Sequence, residues 1–205
     1  MSNSISIPAG PLRNEASVNV SAALKKPRGV YVAGPDLKIP YEPLRPPAPP
    51  LLFDIRGIDL DATAVDLEGI KAINKHRGQA VQLDRLAWVG DNCEQAIAIR
   101  KVRDDEWWCA GHIPGRPIMP AVMMVEAAAQ LTSWMFLARG IVTYPFVGFT
   151  RIENTKFRNR VEPGDTLAIL CQQVKFQLKR MVCDAMGLVD GRIAFESRIT
   201  GMPIL

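Results

Sequence analysis

Histidine and cysteine are scarce in this chain of 205 residues, which holds two histidines and four cysteines. No two cysteines stand in a C-x-x-C arrangement. Zinc sites and disulfide scaffolds need closely spaced sets of these residues. We therefore expect no metal, no other cofactor and no disulfide framework. Reduced thiols of this kind suit a cytoplasmic location.

The chain also lacks a large excess of charge of one sign, since it has 25 basic and 21 acidic residues and a net charge of +4. The basic residues are not interleaved with aromatic ones in any recognisable module, so nucleic-acid binding is not expected. Hydrophobic residues make up 48% of the chain, which is enough to build a core and excludes disorder along its whole length. The first residues show no basic stretch followed by an apolar run, and we expect no secretory signal.

Proline is unevenly distributed, with ten of the sixteen prolines in the first fifty residues. Proline has no backbone N–H to give to a helix or a sheet ladder. The sequence therefore predicts a proline-rich extension at residues 1–50 and one domain at residues 51–205. The extension is expected to be either a poorly ordered tail or an arm that lies on a neighbouring subunit.

The longest helical pattern runs from Pro120 to Arg139, with proline at its first turn and Gly140 after its end. Apolar residues lie nearly all the way round it, which is typical of a buried helix. Glu126 and Gln130 interrupt the apolar run, so we expect no membrane span.

Strand patterns lie on both sides of this helix. Asp190 and Gly191 form a strong two-residue hairpin signal near the end of the chain. The order of elements indicates an α+β protein in which one antiparallel sheet wraps around the buried helix. The patterns predict a short helix at Asp66–Lys75, strands at Gln79–Val89 and Glu94–Val102, and, after the long helix, about four strands that include Leu167–Leu178, Met181–Val189 and Arg192–Met202.

The last strand has an alternating pattern. Ile193, Phe195 and Ile199 alternate with polar residues such as Glu196 and Thr200. This alternation predicts that one face of the strand is buried and the other is in contact with water.

The segment at residues 111–120 concentrates the residues suited to catalysis. His112 stands among glycines and prolines that restrict the backbone and would hold its imidazole in one place. The helix that follows begins with unpaired N–H groups, at Ala121 and Val122, that could bind a developing oxyanion. Glu126 lies among apolar residues, where desolvation favours the protonated carboxyl and makes it a candidate proton donor. The alternative is that His112 caps a turn and Glu126 only meets a polar neighbour.

These residues form a recognisable motif. Residues 111–122 read G-H-I-P-G-R-P-I-M-P-A-V, and Glu126-Ala127 and Gln130 follow. This pattern resembles the signature of the (3R)-hydroxyacyl-[acyl carrier protein] dehydratases of the FabZ/FabA type. Weaker similarities flank it at residues 75–85, 146–149 and 161–165, so the resemblance covers roughly residues 66–200.

The resemblance implies a hot-dog fold and the elimination of water from a 3-hydroxyacyl thioester in fatty acid biosynthesis. The thioester would be carried by acyl carrier protein or coenzyme A. It also implies a homodimer, or a trimer of such dimers, with a shared active site. His112 would be the base and Glu126 the acid, and the implied substrate-binding residues are Gly111, Pro120, Ala121, Val122 and Gln130.

Two departures from the family pattern stand out. Ala121 occupies a position where the family has glycine, and its methyl group would narrow the thioester site. The extension at residues 1–50 has no counterpart in the short family members. A hot-dog acyl thioesterase and a non-catalytic acyl-binding or assembly module are the alternative functions.

Three further features have two possible interpretations each. His76 is expected to have a structural role, in which it closes a turn or meets a carboxylate, and the alternative is that it ionises in catalysis. Trp107 and Trp108 would either line an acyl tunnel or belong to the core. A set of basic side chains would either steer an acidic carrier protein or be ordinary solvated residues of the strands; it consists of Arg158, Arg160, Lys179 and Arg180.

Overall fold

The computed structural model describes residues 48–204 of the chain. Most of the proline-rich extension, and the prediction that it forms a tail or an arm, lies outside the described residues. The described elements are α1 (Leu67–Ile73), β1 (Arg85–Val89), β2 (Gln95–Lys101), α2 (Ala121–Leu137), β3 (Phe146–Phe157), β4 (Thr166–Gln177), β5 (Arg180–Val189) and β6 (Arg192–Ile204), with short 3-10 turns at Gly78–Ala80 and Asp91–Cys93.

The six strands form one antiparallel sheet in the order β1-β2-β4-β5-β6-β3. Helix α2 packs against one face of this sheet, which we call the inner face, and twelve of its seventeen residues are buried. An apolar helix of this kind is stable because the curved sheet covers most of its circumference. The prediction of an antiparallel sheet wrapped around a long buried helix is confirmed. No helix within residues 48–204 is both long and apolar enough to cross a membrane.

Two cysteines lie on neighbouring strands beneath α2. Cys171 of β4 and Cys183 of β5 are fully buried in the inner core, and both are free thiols. The Cys171 thiol donates to the carbonyl of Ala128 in α2 across 3.8 Å. These side chains therefore fill the space directly between the sheet and the helix.

The opposite, outer face of the sheet carries a second apolar cluster, which includes Ile97 of β2 and Leu170 of β4. Residues 51–60, which we call the outer strap, cover this cluster. Phe53 of the strap lies against Trp88, with ring centroids 5.8 Å apart. Arg85 donates hydrogen bonds to the backbone carbonyls at the end of the strap. The sheet is thus covered on both faces, by α2 on one side and by the strap on the other.

The predicted first strand, Gln79–Val89, is wrong in its first half. Gly78 has a φ of +59° and begins a 3-10 turn, so the strand starts only at Arg85. The backbone N–H of Gln82 donates to the side chain of Gln130 in α2 instead of to a neighbouring strand. A helix side chain therefore takes the place of a sheet partner here.

The simple alternation predicted for the last strand is also wrong. In β6, Phe195 pairs with Gly187 and Ile193 pairs with Leu188, so Ala194 is an extra residue in a β-bulge. The bulge places Ile193 in the outer cluster, whereas Phe195 lies in the inner one. Thr200, expected in water, is buried.

Candidate active site

The loop that carries His112 is held by its own backbone. The N–H of His112 donates to the carbonyl of Trp108, and its carbonyl accepts from the N–H of Ile118. Trp108 and Met119, at the two ends of the loop, are each 2% exposed. The His112–Ile113 peptide bond is cis. The imidazole is therefore exposed at the surface on a loop with both ends anchored in the core.

An ion pair with Arg100 holds Glu106, which lies in the segment between β2 and this loop. Arg100 of β2 is 3% exposed, and its guanidinium pairs with the carboxylates of Glu106 and Asp84. The carbonyl of Glu106 accepts from the N–H of Cys109. A buried charge of this kind is tolerated because it is paired with opposite charges.

One hydrogen bond sets the tautomer of His112. Its Nδ1 lies 2.7 Å from the carbonyl oxygen of Ile118. A carbonyl oxygen can only accept, so Nδ1 carries the proton of the neutral imidazole. Nε2 is left with its lone pair, which is the arrangement a general base requires.

Glu126 lies on α2 and is held by Gln130 one turn later. The amide nitrogen of Gln130 donates to Oε1 of Glu126 across 2.7 Å and also to the carbonyl of Ala80. The amide oxygen of Gln130 accepts from the N–H of Gln82. These backbone partners fix which end of the amide is nitrogen, because an N–H cannot donate to an NH₂ group. Oε1 of Glu126 is therefore an acceptor, and any proton on the acid sits on Oε2.

A cavity of about 310 Å³ lies beside Glu126, between α2, the start of β3 and the end of β6. Its wall combines one carboxylate with mainly apolar side chains. Such a cavity suits a ligand with a polar head and an apolar tail. The lining includes His76, Glu126, Gln130, Phe146, Phe149 and Gly201.

Within one chain, the predicted site residues fall into two groups. Glu126 and Gln130 line the cavity. His112 does not line it, and neither do Gly111, Pro120, Ala121 and Val122. These five residues belong to the exposed loop and to the start of α2, where Val122 is 68% exposed. One chain therefore does not bring the predicted base and the predicted acid to the same cavity.

The start of α2 has the donors that were expected there. Pro120 is the N-cap residue, and Ala121 and Val122 are the first residues of the helix. Their N–H groups have no acceptor within the helix. An anion at this end would also be favoured by the helix dipole.

Sequence reasoning missed part of the cavity wall. His76 lies 3.7 Å from Glu126, measured from Nε2 to Oε1, which agrees with the expectation that it meets a carboxylate. The segment at residues 146–149 also lines the cavity. Its Phe-Val-Gly-Phe pattern was visible in the sequence, but nothing in that pattern showed that it faces Glu126. Trp108 belongs to the core, and Trp107 is 55% exposed and does not line the cavity.

The predicted basic cluster is not a cluster. Arg158 lies beside Ala194, near the start of β6, whereas the β4–β5 turn that carries Lys179 and Arg180 lies beside Gly201. The seven residue steps from Ala194 to Gly201 span about 23 Å of strand. Arg158 is also neutralised by Glu196, at 2.7 Å, and Arg160 is paired with Glu162, at 2.6 Å.

Lys179 and Arg180 have no ion-pair partner in the part of the chain that is described. Both are exposed, and the neighbouring Leu178 is 59% exposed. Within residues 48–204, no three histidine, cysteine, aspartate or glutamate side chains are placed to hold a metal ion.

The chain matches a family model described as the FabA-like domain over residues 75–198. It is 31% identical over 136 residues to the 3-hydroxyacyl-[acyl-carrier-protein] dehydratase FabZ of Streptococcus mutans serotype c, which covers 66% of this chain and 96% of the relative. It is 33% identical over 130 residues to the FabZ of Herpetosiphon aurantiacus, with 63% and 92% covered.

Two solved structures share the fold at 13% sequence identity. The dehydratase heterocomplex ApeI:P from Xenorhabdus doucetiae matches with a TM-score of 0.56 over 66% of this chain and 91% of that one. Cj0977, a sigma28-regulated virulence protein from Campylobacter jejuni, matches with a TM-score of 0.54 over 71% and 95%. The helix-wrapping sheet, the His112 and Glu126 motif and the match over residues 75–198 agree, and the chain belongs to the FabZ/FabA-type family of hot-dog dehydratases.

Proposed function

We propose that this protein eliminates water from a 3-hydroxyacyl thioester to give the trans-2-enoyl thioester. The observation that carries the proposal is a pair of hydrogen bonds, one of which leaves a proton acceptor on His112 and the other a proton donor on Glu126. The Ile118 carbonyl leaves Nε2 of His112 as a free base, and Gln130 leaves Oε2 of Glu126 as the site of an acidic proton. The elimination of water needs one group that accepts a proton and one that donates a proton.

The proposed chemistry uses both groups in one turnover. Nε2 of His112 takes the proton from C2 of the substrate, and the electron pair of that C–H bond forms the C2–C3 double bond. The C3–oxygen bond breaks, and Oε2 of Glu126 gives its proton to the departing hydroxyl, which leaves as water. His112 ends protonated and Glu126 ends ionised, so one proton must return to the acid before the next turnover.

The thioester carbonyl gains negative charge while the proton at C2 is removed. We assign the free N–H groups of Ala121 and Val122 to this oxygen, because they lie at a helix start close in sequence to His112. An alanine keeps the backbone donor that a glycine would supply. Its methyl group adds bulk beside the thioester, which favours substrates that are slender at that point.

The active site is proposed to be completed by a second copy of this chain. His112 and Glu126 do not share a cavity within one chain, and β3 is an edge strand with apolar side chains in water. Phe149, Ile152 and Phe157 of β3 are each more than 40% exposed. An open apolar edge of this length normally pairs with another strand. Pairing β3 with its copy would produce a homodimer, on which a trimer of dimers could be built.

The test of the chemistry is the loss of dehydration in His112→Ala and Glu126→Gln. Each variant should lose about 10²–10⁴-fold in turnover of a 3-hydroxyacyl thioester, because a positioned acid or base contributes on that scale. Circular dichroism and urea unfolding should show that both variants remain folded. Turnover near that of the wild type in either variant would refute the proposed role of that residue.

The shared site is tested by mixing the two variants. In a dimer with one His112→Ala chain and one Glu126→Gln chain, one site carries both changes and the other carries neither. Co-expression should therefore restore about a quarter of the wild-type activity, since half of the dimers are mixed and each has one intact site of two. No recovery, or an active monomer in light scattering, would rule out a site built from two chains.

We propose acyl carrier protein as the partner that presents the thioester. The dehydratases of Streptococcus mutans and Herpetosiphon aurantiacus are named for acyl-carrier-protein substrates. Lys179 and Arg180 support this proposal, because they are exposed and unpaired among the described residues and lie beside Gly201 of the cavity wall. An acidic partner would be attracted to this turn. A coenzyme A thioester would use the same cavity without the docking contact.

A further inference from the structure

His76 lies in the cavity beside the acid, although it stands outside the motif that contains His112 and Glu126. Its Nε2 is 3.7 Å from Oε1 of Glu126, and its side chain is 23% exposed. Gln130 donates to the same oxygen at 2.7 Å. Two donor-bearing side chains therefore converge on Oε1, and both leave Oε2 free.

The side chain of Arg77 holds the backbone around His76. The guanidinium of Arg77 donates to the carbonyls of His76, Asn74 and Lys71, where α1 ends. The Phe146 ring of β3 lies on another side of the imidazole, with ring centroids 6.5 Å apart. The imidazole thus lies between α1, α2 and β3, with Nε2 about 0.5 Å beyond the longest usual N–H···O distance to Oε1.

The surroundings of the ring determine which nitrogen carries the proton. Nδ1 of His76 is buried and has no hydrogen-bond partner among residues 48–204. A proton on Nδ1 would be a buried donor without an acceptor, which is unfavourable. An unprotonated Nδ1 only leaves an acceptor unused. The neutral imidazole therefore carries its proton on Nε2, the nitrogen that faces Glu126.

We propose that His76 is a positioning residue that donates from Nε2 to Oε1 of Glu126 and, together with Gln130, turns Oε2 toward the substrate. This inference rests on the proposed function of Glu126 as the acid. When Glu126 gives up its proton, negative charge develops on the carboxylate, and a second donor on Oε1 stabilises that charge. His76 thereby acts on the departure of the hydroxyl without touching the substrate.

The charged groups around this pair are few. Among the described residues, Glu126 of α2 is the acidic side chain within 4 Å of an imidazole nitrogen of His76, and β3 contributes the uncharged Phe146. The guanidinium of Arg77 faces backbone carbonyls at the end of α1. The interaction between His76 and Glu126 can therefore be measured without a competing ion pair on the imidazole.

The first experiment is spectroscopic and does not depend on activity. The chain has two histidines, so His112→Ala leaves one set of imidazole nitrogen signals, and these belong to His76. Long-range ¹H–¹⁵N spectra of the full chain should show the proton on Nε2. Adding Glu126→Gln should shift the Nε2 signal. A proton on Nδ1, or signals that do not respond to Glu126→Gln, would overturn the proposal.

The second experiment is kinetic and uses full-length variants. His76→Phe keeps a ring of similar size but removes the donor, and we expect kcat to fall about tenfold with little change in KM. His76→Gln can donate from its amide and should recover most of the loss. Lys75→Gln changes the exposed neighbouring residue and should behave like the wild type.

The outcomes separate the two proposals. A rise in KM with kcat unchanged in His76→Phe would mean that His76 contacts substrate, and equal losses in the phenylalanine and glutamine variants would mean that its donor is not what matters. Either result overturns the positioning role. If the wild type dehydrates no 3-hydroxyacyl thioester, the proposed function fails, whereas the spectra still decide whether His76 donates to Glu126.

Discussion

The two faces of the sheet are covered in different ways. On the inner face, α2 brings polar side chains that are held by hydrogen bonds. Gln130 connects α2 to Gln82 and Ala80 and also donates to Glu126 of the same helix. On the outer face, the strap at residues 51–60 contributes mainly apolar side chains, and Phe53 packs against Trp88.

This difference separates the positioning of catalytic groups from the stability of the fold. Hydrogen bonds are directional, so the bond from Gln130 orients the carboxylate of Glu126. Apolar contacts stabilise the fold in proportion to the area they bury and tolerate small shifts. Substitutions of the side chains that hold Glu126 should therefore change turnover and stability together, whereas those in the strap should change stability alone.

The largest effect is expected at Gln130. Gln130→Leu should lower the free energy of unfolding by about 2 kcal/mol, because the N–H of Gln82 would be left buried without a partner and the part-buried bond to the carbonyl of Ala80 would be lost. It should also lower kcat at least tenfold, since Glu126 would lose the donor that holds Oε1. Urea unfolding and steady-state kinetics measure the two effects on the same preparation.

Ser197→Ala is the matched control for that substitution. It removes a part-buried hydrogen bond between Ser197 of β6 and Thr155 of β3, neither of which lines the cavity beside Glu126. Stability should fall by about 1 kcal/mol and kcat should not change. If Gln130→Leu lost stability but kept its kcat, the view that Gln130 aligns the acid would be wrong.

A smaller effect, on stability only, is expected from the outer strap. Phe53→Ala removes the ring that lies on Trp88 and opens the outer cluster. Because Phe53 is only partly buried, the loss should be about 2 kcal/mol, below the range for a fully buried phenylalanine. Thermal or urea unfolding checks the loss, and kcat should equal that of the wild type. A tenfold fall in kcat would show that the two faces are coupled.

The smallest effect is expected at the exposed β4–β5 turn. Arg180→Glu should slow turnover of carrier-bound substrate several-fold and leave a short pantetheine thioester unaffected. Raising the salt should mimic it, because exposed charges are screened over about 10 Å at ~0.1 M. Arg192→Glu makes the same change on the exposed β5–β6 turn, at the other end of β5, and is the control. Equal losses on both substrates would point to damage in the cavity.

Arg158 and Arg180 were grouped in the sequence analysis, but Arg158 is ion-paired within the fold whereas Arg180 is exposed. Arg158 is paired with Glu196 on β6, so Arg158→Glu would place two carboxylates side by side. We expect this change to lower stability and to affect both kinds of substrate equally. Comparing carrier-bound and carrier-free substrates across these variants distinguishes a docking residue from a structural one.

The features that the sequence predicted correctly are those set by local pattern. The apolar run of α2 and the left-handed turn at Asp190 and Gly191 depend on residues close together in the chain. The loop around His112 belongs to the same class, because its glycines and prolines act on their own backbone.

The features that the sequence did not predict depend on partners far along the chain. The contact between His76 and Glu126 joins residues fifty positions apart, and the N–H of Gln82 takes a helix side chain as its partner. The bulge at Ala194 shifts the alternation of β6 by one residue, which no simple count of apolar residues reveals. The outer strap lacks any regular period, so nothing local marked it as the cover of a sheet.

The reactivity of the Cys171 and Cys183 thiols should measure how often the sheet and α2 separate. Burial raises the pKa of Cys183 to about 12 and raises that of Cys171 well above its ordinary value, because a thiolate beneath α2 would lose its hydration. Thiol reagents attack thiolates, so both cysteines should react only when the sheet and helix separate. Between pH 9, where an exposed thiol ionises, and pH 12, the unfolded chain releases these protons while the native chain keeps them, and alkali should therefore loosen the inner core.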